Sequence, residues 1–251
     1  MRWILWMLLA GSLAGCFQVK YSGSDTQPVE HSLWNALLHQ HVSPEGKVDY
    51  QGFMQDSLRL QRYLTLISSG FPNDKYWSEN EQLAYWINAY NAFTIQLILK
   101  NYPVQSIKEI GPKLSIPFVN SVFDIEFIRI GDQLLSLNHI EHGILRKRFE
   151  EPRIHFAINC ASVSCPDLRP EAYTAEQLEE QLHQQAVRFI NDPQKNQLSE
   201  DQVRLSKIFQ WFESDFTRQG SLLQFINRYA QHPVNTATPI RFLNYNWHLN
   251  E

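Results

Sequence analysis

The stretch from Ser78 to about Lys100 places the strongest limit on what this chain can become. Ser78 followed three residues later by Glu81 is a capping-box signature for a helix start. After it come Leu83, Ala84, Tyr85, Trp86, Ile87, Ala89, Tyr90, Ala92, Phe93, Ile95, Leu97 and Ile98, and Pro103 closes the run. A helix apolar on nearly every side is predicted to pass through a core, not to lie on its surface. Within it, Asn88 and Asn91 stand three apart and share one side. Asparagine is a poor helix former and costly to bury without partners. The two amides are therefore predicted either to bracket a neighbouring loop or strand through its backbone or to point into a pocket.

The rest of the sequence asks for one core around that helix. The chain has 251 residues, 43% of them apolar, with 22 Lys+Arg against 26 Asp+Glu. This excludes disorder, and a net charge of −4 gives no basic surplus for a nucleic-acid partner. No internal repeat or second linker interrupts residues 31–251. Short helices are predicted from Ser32, Asp56, Asn138, Thr174 and Ser221, and a hairpin across Gly131-Asp132. Extended segments are predicted at Arg153 to Cys160, at Val203 to Leu205, and from Pro239 to about Trp247. Helices and strands do not alternate strictly. The predicted fold class is α+β, a single domain with a long buried central helix packed against a mixed or antiparallel sheet.

Residues 1–15 carry Arg2, a short apolar run and a small-residue end, as in a secretory signal peptide. The run is too short for a comfortable transmembrane helix. Leu13-Ala14-Gly15-Cys16 resembles the bacterial lipobox, which implies a lipidated Cys16 carrying acyl chains that tie the chain to a lipid bilayer. Phe17 in place of Asp points to the outer membrane of a Gram-negative cell, with the domain facing the periplasm. Residues 16–30 are predicted to be a flexible, lipidated tether.

For chemistry, the segment Ile154 to Cys160 stands out. As a regular strand it sets His155, Ala157 and Asn159 on one face and Cys160 on the other, so a His155–Cys160 pair requires the strand to end or bulge before Cys160. The alternative is a small core cysteine. Cys160 and Cys165 could also close a disulfide across a tight loop. His139, Glu141, His142 and His155 lack the spacing of a metal motif, and Glu141 is predicted to cap its helix; no metal or cofactor is predicted. His39 and His41 are predicted to be solvated.

Three blocks resemble the domain of unknown function 547 family: Leu83 to Ala92, Leu137 to Arg146, and Arg153 to Ser162 with Ser164-Cys165-Pro166. The segments Val48-Asp49-Tyr50, Leu205 to Phe212 and Tyr245 to Asn250 fit as well, with Asn246 where the family pattern has an acid. The resemblance implies no established activity. Plant-like members keep the position of Cys160 and lack that of Cys165, which leans against an essential bridge between them. The family pattern falls on His155, Cys160, Asn88, Asn91 and Glu141, with Asn159 beside them.

Two functions remain open. One is a lipid-anchored binding or accessory module of the cell envelope with a protein partner. The other is a cysteine-dependent hydrolase or acyltransferase acting on a small molecule, with Cys160 as nucleophile, His155 as base and an asparagine amide as orienting group.

Overall fold

Glu79–Leu99 is indeed one 21-residue helix, and both halves of the capping box form at its start. The computed structural model describes residues 25–111 and 121–251. The signal peptide and Cys16 lie outside the described residues.

In chain order the helices α1 (Ser32–His41), α2 (Tyr50–Gln55) and α3 (Ser57–Ser69) precede this long helix, α4 (Glu79–Leu99). Next come a hairpin of β1 (Ile128–Ile130) and β2 (Gln133–Leu135), then a π-helix, His139–Leu145, running into the single turn α5 (Arg146–Arg148). They are followed by a second short turn, α6 (Ile154–Ala157), and by α7 (Leu178–Ile190). Strands β3 (Gln197–Leu198) and β4 (Val203–Leu205) lead to α8 (Lys207–Trp211), α9 (Glu213–Phe216), α10 (Leu222–Asn227) and β5 (Ile240–Phe242). β4 pairs antiparallel with β3 and parallel with β5, so the small sheet is mixed. The fold is α+β in a single domain.

Helices, and not a sheet, surround α4: its most extensive packing is against α2, α3 and the π-helix. Strands of two or three residues have too little face to cover a 21-residue helix. The main core gathers α1 to α4, the hairpin and the π-helix, including the fully buried Trp34, Tyr63 and Trp86. A second cluster gathers α7, β4 and α8 to α10 around Phe156, whose ring stacks on Phe189 and Phe216. The functional cavity is lined from both clusters.

Three sequence expectations change. Ile154 to Ala157 is a helical turn, not a strand. Pro152 supplies a preset helical φ just before it, and the amide of His155 bonds to the Pro152 carbonyl. A short apolar run reads equally as buried strand or buried helix, and here it packs on α7. His41 is buried and bonds Asp56 at 2.8 Å, so it is not solvated. The described end of the expected tether is docked: the Thr26 carbonyl accepts from Asn73 Nδ2 and Trp77 Nε1. Among the described residues no helix is long and apolar enough to cross a membrane.

Candidate active site around Cys160

The amides of α4 set the backbone that carries the thiol. Asn88 donates to the Tyr173 carbonyl at 2.8 Å and accepts from the Tyr173 amide at 3.0 Å. One turn on, Asn91 donates to the Ala157 carbonyl at 2.9 Å and accepts from the Asn159 amide at 2.8 Å. Each side chain thus satisfies a buried donor and acceptor of a foreign segment, as a strand neighbour would. Asn159 continues the chain of support. Its Nδ2 donates to the Pro166 carbonyl at 2.7 Å, and its Oδ1 accepts from the Ala161 amide at 2.8 Å. These bonds hold Ala161 at φ +59°, a left-handed conformation in which a residue with a Cβ is strained. The strained residue is the one immediately after Cys160. Asn88, Asn91 and Asn159 therefore brace the site from behind, and none of them lines the cavity at its front.

Cys160 is half-buried at the mouth of this loop. Its sulfur lies 3.1 Å from Ser162 Oγ and 3.3 Å from the Tyr245 hydroxyl, and its own amide donates to Cys165 Sγ at 2.8 Å. Both cysteines are free thiols, so the possible Cys160–Cys165 bridge is not formed in this structure. Burial pushes the Cys160 thiol up. Hydrogen bonds from the Cys165 thiol, the Ser162 hydroxyl and amide, and Tyr245 outweigh it and bring it down to about 7. Cys165, deeper and facing that charge, moves the other way and keeps its proton.

The second half of the site is a buried chain of titratable groups. Arg146 grips Asp215 through Nε to Oδ2 at 2.6 Å and Nη2 to Oδ1 at 3.1 Å. His155 Nε2 lies 2.8 Å from the same Asp215 Oδ2. Burial works against the Asp215 carboxylate, but the bonds from His155 and Arg146 prevail and hold it well below the usual carboxylate range. An ionised carboxylate only accepts, so His155 carries its proton on Nε2 and presents a bare Nδ1. Nδ1 is buried and has no hydrogen-bond partner, and the nearest acid, Glu141 Oε1, is 3.8 Å away. Phe212 stacks on the imidazole at 3.9 Å between centroids. Burial drops His155 to about 4 despite Asp215, and it raises Glu141 to about 8, with the charge of Cys160 adding to the rise. At neutral pH the pair is a neutral imidazole and a protonated carboxylic acid.

Glu141 was expected to cap a helix. Instead it sits inside the π-helix, and Asn138 at the N-cap makes no capping bond from its side chain. The wider turn of a π-helix is a frequent mark of functional sites. It swings Glu141 inward, where Tyr90 of α4 lies 3.5 Å from Oε2. A Cβ at Gly143 would sit 2.8 Å from the ring of His139, so glycine leaves that ring in place.

A cavity of about 180 Å³ collects Cys160, Cys165, Glu141, His142 and His155. Its remaining walls are mostly apolar, with Phe212, Trp211, Tyr245 and Trp247 prominent. His155 and Cys160 thus share one cavity without a hydrogen bond between them; Glu141 is the group coupled to both. Sequence reasoning missed Asp215, Tyr245 and the tryptophans. The one signal was the aromatic density of Phe209 to Phe216 and Tyr245 to Trp247, with Asp215 set among rings. Among the described residues no group of three or more His, Cys, Asp or Glu side chains is placed to hold a metal ion.

Residues 75–190 match the family described as protein of unknown function, DUF547, and over this span the chain is similar to that family. The matched span holds α4, the π-helix and the Cys160 loop, but not Asp215, Tyr245 or Trp247. Neither the curated proteins nor the solved structures contain a match to this chain.

Proposed function

We propose that the protein is a thiol-dependent hydrolase or acyltransferase that forms an acyl intermediate on Cys160. The observation that supports this best is a thiol brought down to about 7 in the same cavity as a protonated, buried Glu141. A pocket that only binds has no need of either group in that state.

The chemistry follows from the two protonation states. The Cys160 thiolate attacks the carbonyl carbon of an ester or thioester, forming a carbon–sulfur bond. The Tyr245 hydroxyl, already 3.3 Å from the sulfur, is the donor at hand for the carbonyl oxygen as charge develops on it. The bond to the leaving group then breaks, and Glu141 gives that group its proton. Water, or an acceptor alcohol or amine, next attacks the thioester and returns a proton to Glu141, and Cys160 leaves as thiolate. A group with a pKa near the working pH suits this exchange in both directions. His155 stands behind Glu141 as a positioning residue, its tautomer set by Asp215.

Alkylation of the native protein by iodoacetamide across pH tests the nucleophile. The rate is expected to rise with a midpoint near 7, against about 8.5 for a free thiol. Cys160→Ser is expected to remove the label altogether, because Cys165 is buried. A rate that climbs only above pH 8 would rule the nucleophile out. With a nitrophenyl ester as substrate, Glu141→Gln is expected to cut turnover by about 10²-fold or more while leaving Cys160 alkylation in place.

The location of this activity is part of the same proposal. The lipobox-like Leu13 to Cys16 supports an exported protein held on the membrane by acyl chains on Cys16, with the domain in the periplasm. Expressed in a Gram-negative host, Cys16→Ser is expected to move the protein from the membrane pellet to the soluble fraction. Its retention in the pellet would refute lipid anchoring at that residue.

A further inference from the structure

The walls of the Cys160 cavity specify what the thiol can be offered. Its volume of about 180 Å³ is a little above that of an engineered protein cavity of about 150 Å³ that admits benzene. Phe212 lies along one side on His155. Trp211, Tyr245 and Trp247 form a mutual cluster on another, with centroid separations of 4.6 to 5.9 Å. Ile158 and Ile208 close part of the remainder.

Apart from the Cys160 thiolate, which repels an anion, the polar groups present offer no free charge to a ligand. Arg146 is not part of the lining, and its guanidinium is engaged twice by Asp215 and once by His142 Nδ1 at 3.1 Å. Asp215 is engaged by Arg146 and His155 in return. Glu141 and His155 face one another as the neutral pair described above. A ligand carboxylate or phosphate entering here would lose water and meet no cation inside, so its entry is disfavoured. An apolar group meets ring faces and aliphatic side chains, and its transfer is favourable.

We propose that the site takes an uncharged, apolar acyl group of about six to eight heavy atoms, of benzoyl or hexanoyl size, with its carbonyl at Cys160 and its body against Phe212 and Trp211. This rests on the acyl-transfer reading and adds the substrate class to it. Trp211 is 45% accessible, so the wall that holds the acyl body reaches solvent, where the leaving group departs. Selectivity is therefore placed in the acyl half of the substrate.

The test uses three alkylating reagents that differ only in what they carry past the reactive carbon: chloroacetanilide, chloroacetamide and chloroacetate. Each rate on Cys160 is divided by its rate on glutathione. Chloroacetanilide is expected to exceed chloroacetamide by about ten-fold, and chloroacetate to fall below it by at least ten-fold. Trp211→Ala, a change at an exposed position, is expected to erase the anilide advantage, bringing the anilide-to-amide ratio on Cys160 down to that on glutathione. Equal rates for all three reagents, or a faster chloroacetate, would overturn the substrate class. Nitrophenyl hexanoate, benzoate, acetate and succinate then separate the two ideas. Turnover that favours succinate or acetate refutes the acyl preference while acyl transfer stands. An anilide preference without turnover of any ester refutes acyl transfer while the apolar pocket stands.

Discussion

Asp215→Ala is expected to lower the free energy of unfolding by about 3–5 kcal/mol, the usual consequence of removing one partner from a buried ion pair. Asp215 is only 8% exposed and is the acceptor for two Arg146 bonds and one from His155. Its loss strands a half-buried guanidinium and a buried imidazole together. For a domain of this size each kcal/mol corresponds to roughly 2–4 °C, so the midpoint is expected to fall by about 6–20 °C. Urea unfolding at pH 7 measures this; a change below about 1 kcal/mol would mean that Arg146 and His155 find other acceptors. The pH dependence has a definite sign. The folded pKa of Asp215 is depressed. Its contribution is therefore full above the unfolded value of about 3.9 and is lost as pH falls through the lower folded value. The alanine variant lacks that limb, so the gap between it and the parent is expected to narrow in acid. Asp215→Asn keeps the shape but offers an amide donor. It lets His155 move its proton to Nδ1, a change of tautomer that nitrogen chemical shifts of the ring report directly.

Asn91→Ala and Asn88→Ala are expected to cost similar stability and to differ in what they do to the thiol. Each removes a side chain that satisfies one buried carbonyl and one buried amide. At about 1–3 kcal/mol for each stranded group, the loss is about 2–6 kcal/mol in either case. Asn91, however, holds the amide of Asn159, and Asn159 holds the amide of Ala161 in its left-handed conformation. Freed of that support, Ala161 is expected to relax. Relaxation would carry the Ser162 amide and hydroxyl away from the sulfur and return the thiol toward its ordinary value. Asn88 holds Tyr173, which lies outside the cavity. Asn91→Ala is thus predicted to lose at least ten-fold in iodoacetamide rate at pH 7, with Asn88→Ala within two-fold of the parent. Both variants are compared at a temperature where each remains folded. Equal reactivity in the two would detach the bracing amides from the state of Cys160.

The structure gives these residues a common logic. α4 has no free face for a charged or mobile group, so its two amides act at fixed positions, and the loop they hold inherits that rigidity. Strain at Ala161 persists because bonds on both sides over-determine it, and the strained loop presents a sulfur encircled by donors. On the opposite wall, Asp215 and Arg146 satisfy each other so fully that they act on the cavity through His155, without exposing charge to it.

What could be read from the residues alone was local. Ser78 with Glu81, Ser221, and the Gly131-Asp132 turn each encode their element locally, and each forms as predicted. The burial of α4 and the need of Asn88 and Asn91 for partners also follow from composition at fixed helical spacing. Tertiary structure decided the rest, because the deciding partners are far away in sequence. Ile154 to Ala157 could be strand or helix until α7 covered it. Glu141 could cap or enter the core until the π-helix turned it inward. His155 acquires its tautomer from Asp215, 60 residues on, and Cys160 owes its acidity first to Cys165 and Ser162 within its own loop, with Tyr245, 85 residues on, adding to them. Hydrogen-bond geometry and burial set a proton's affinity, and neither is a property of any short window of chain.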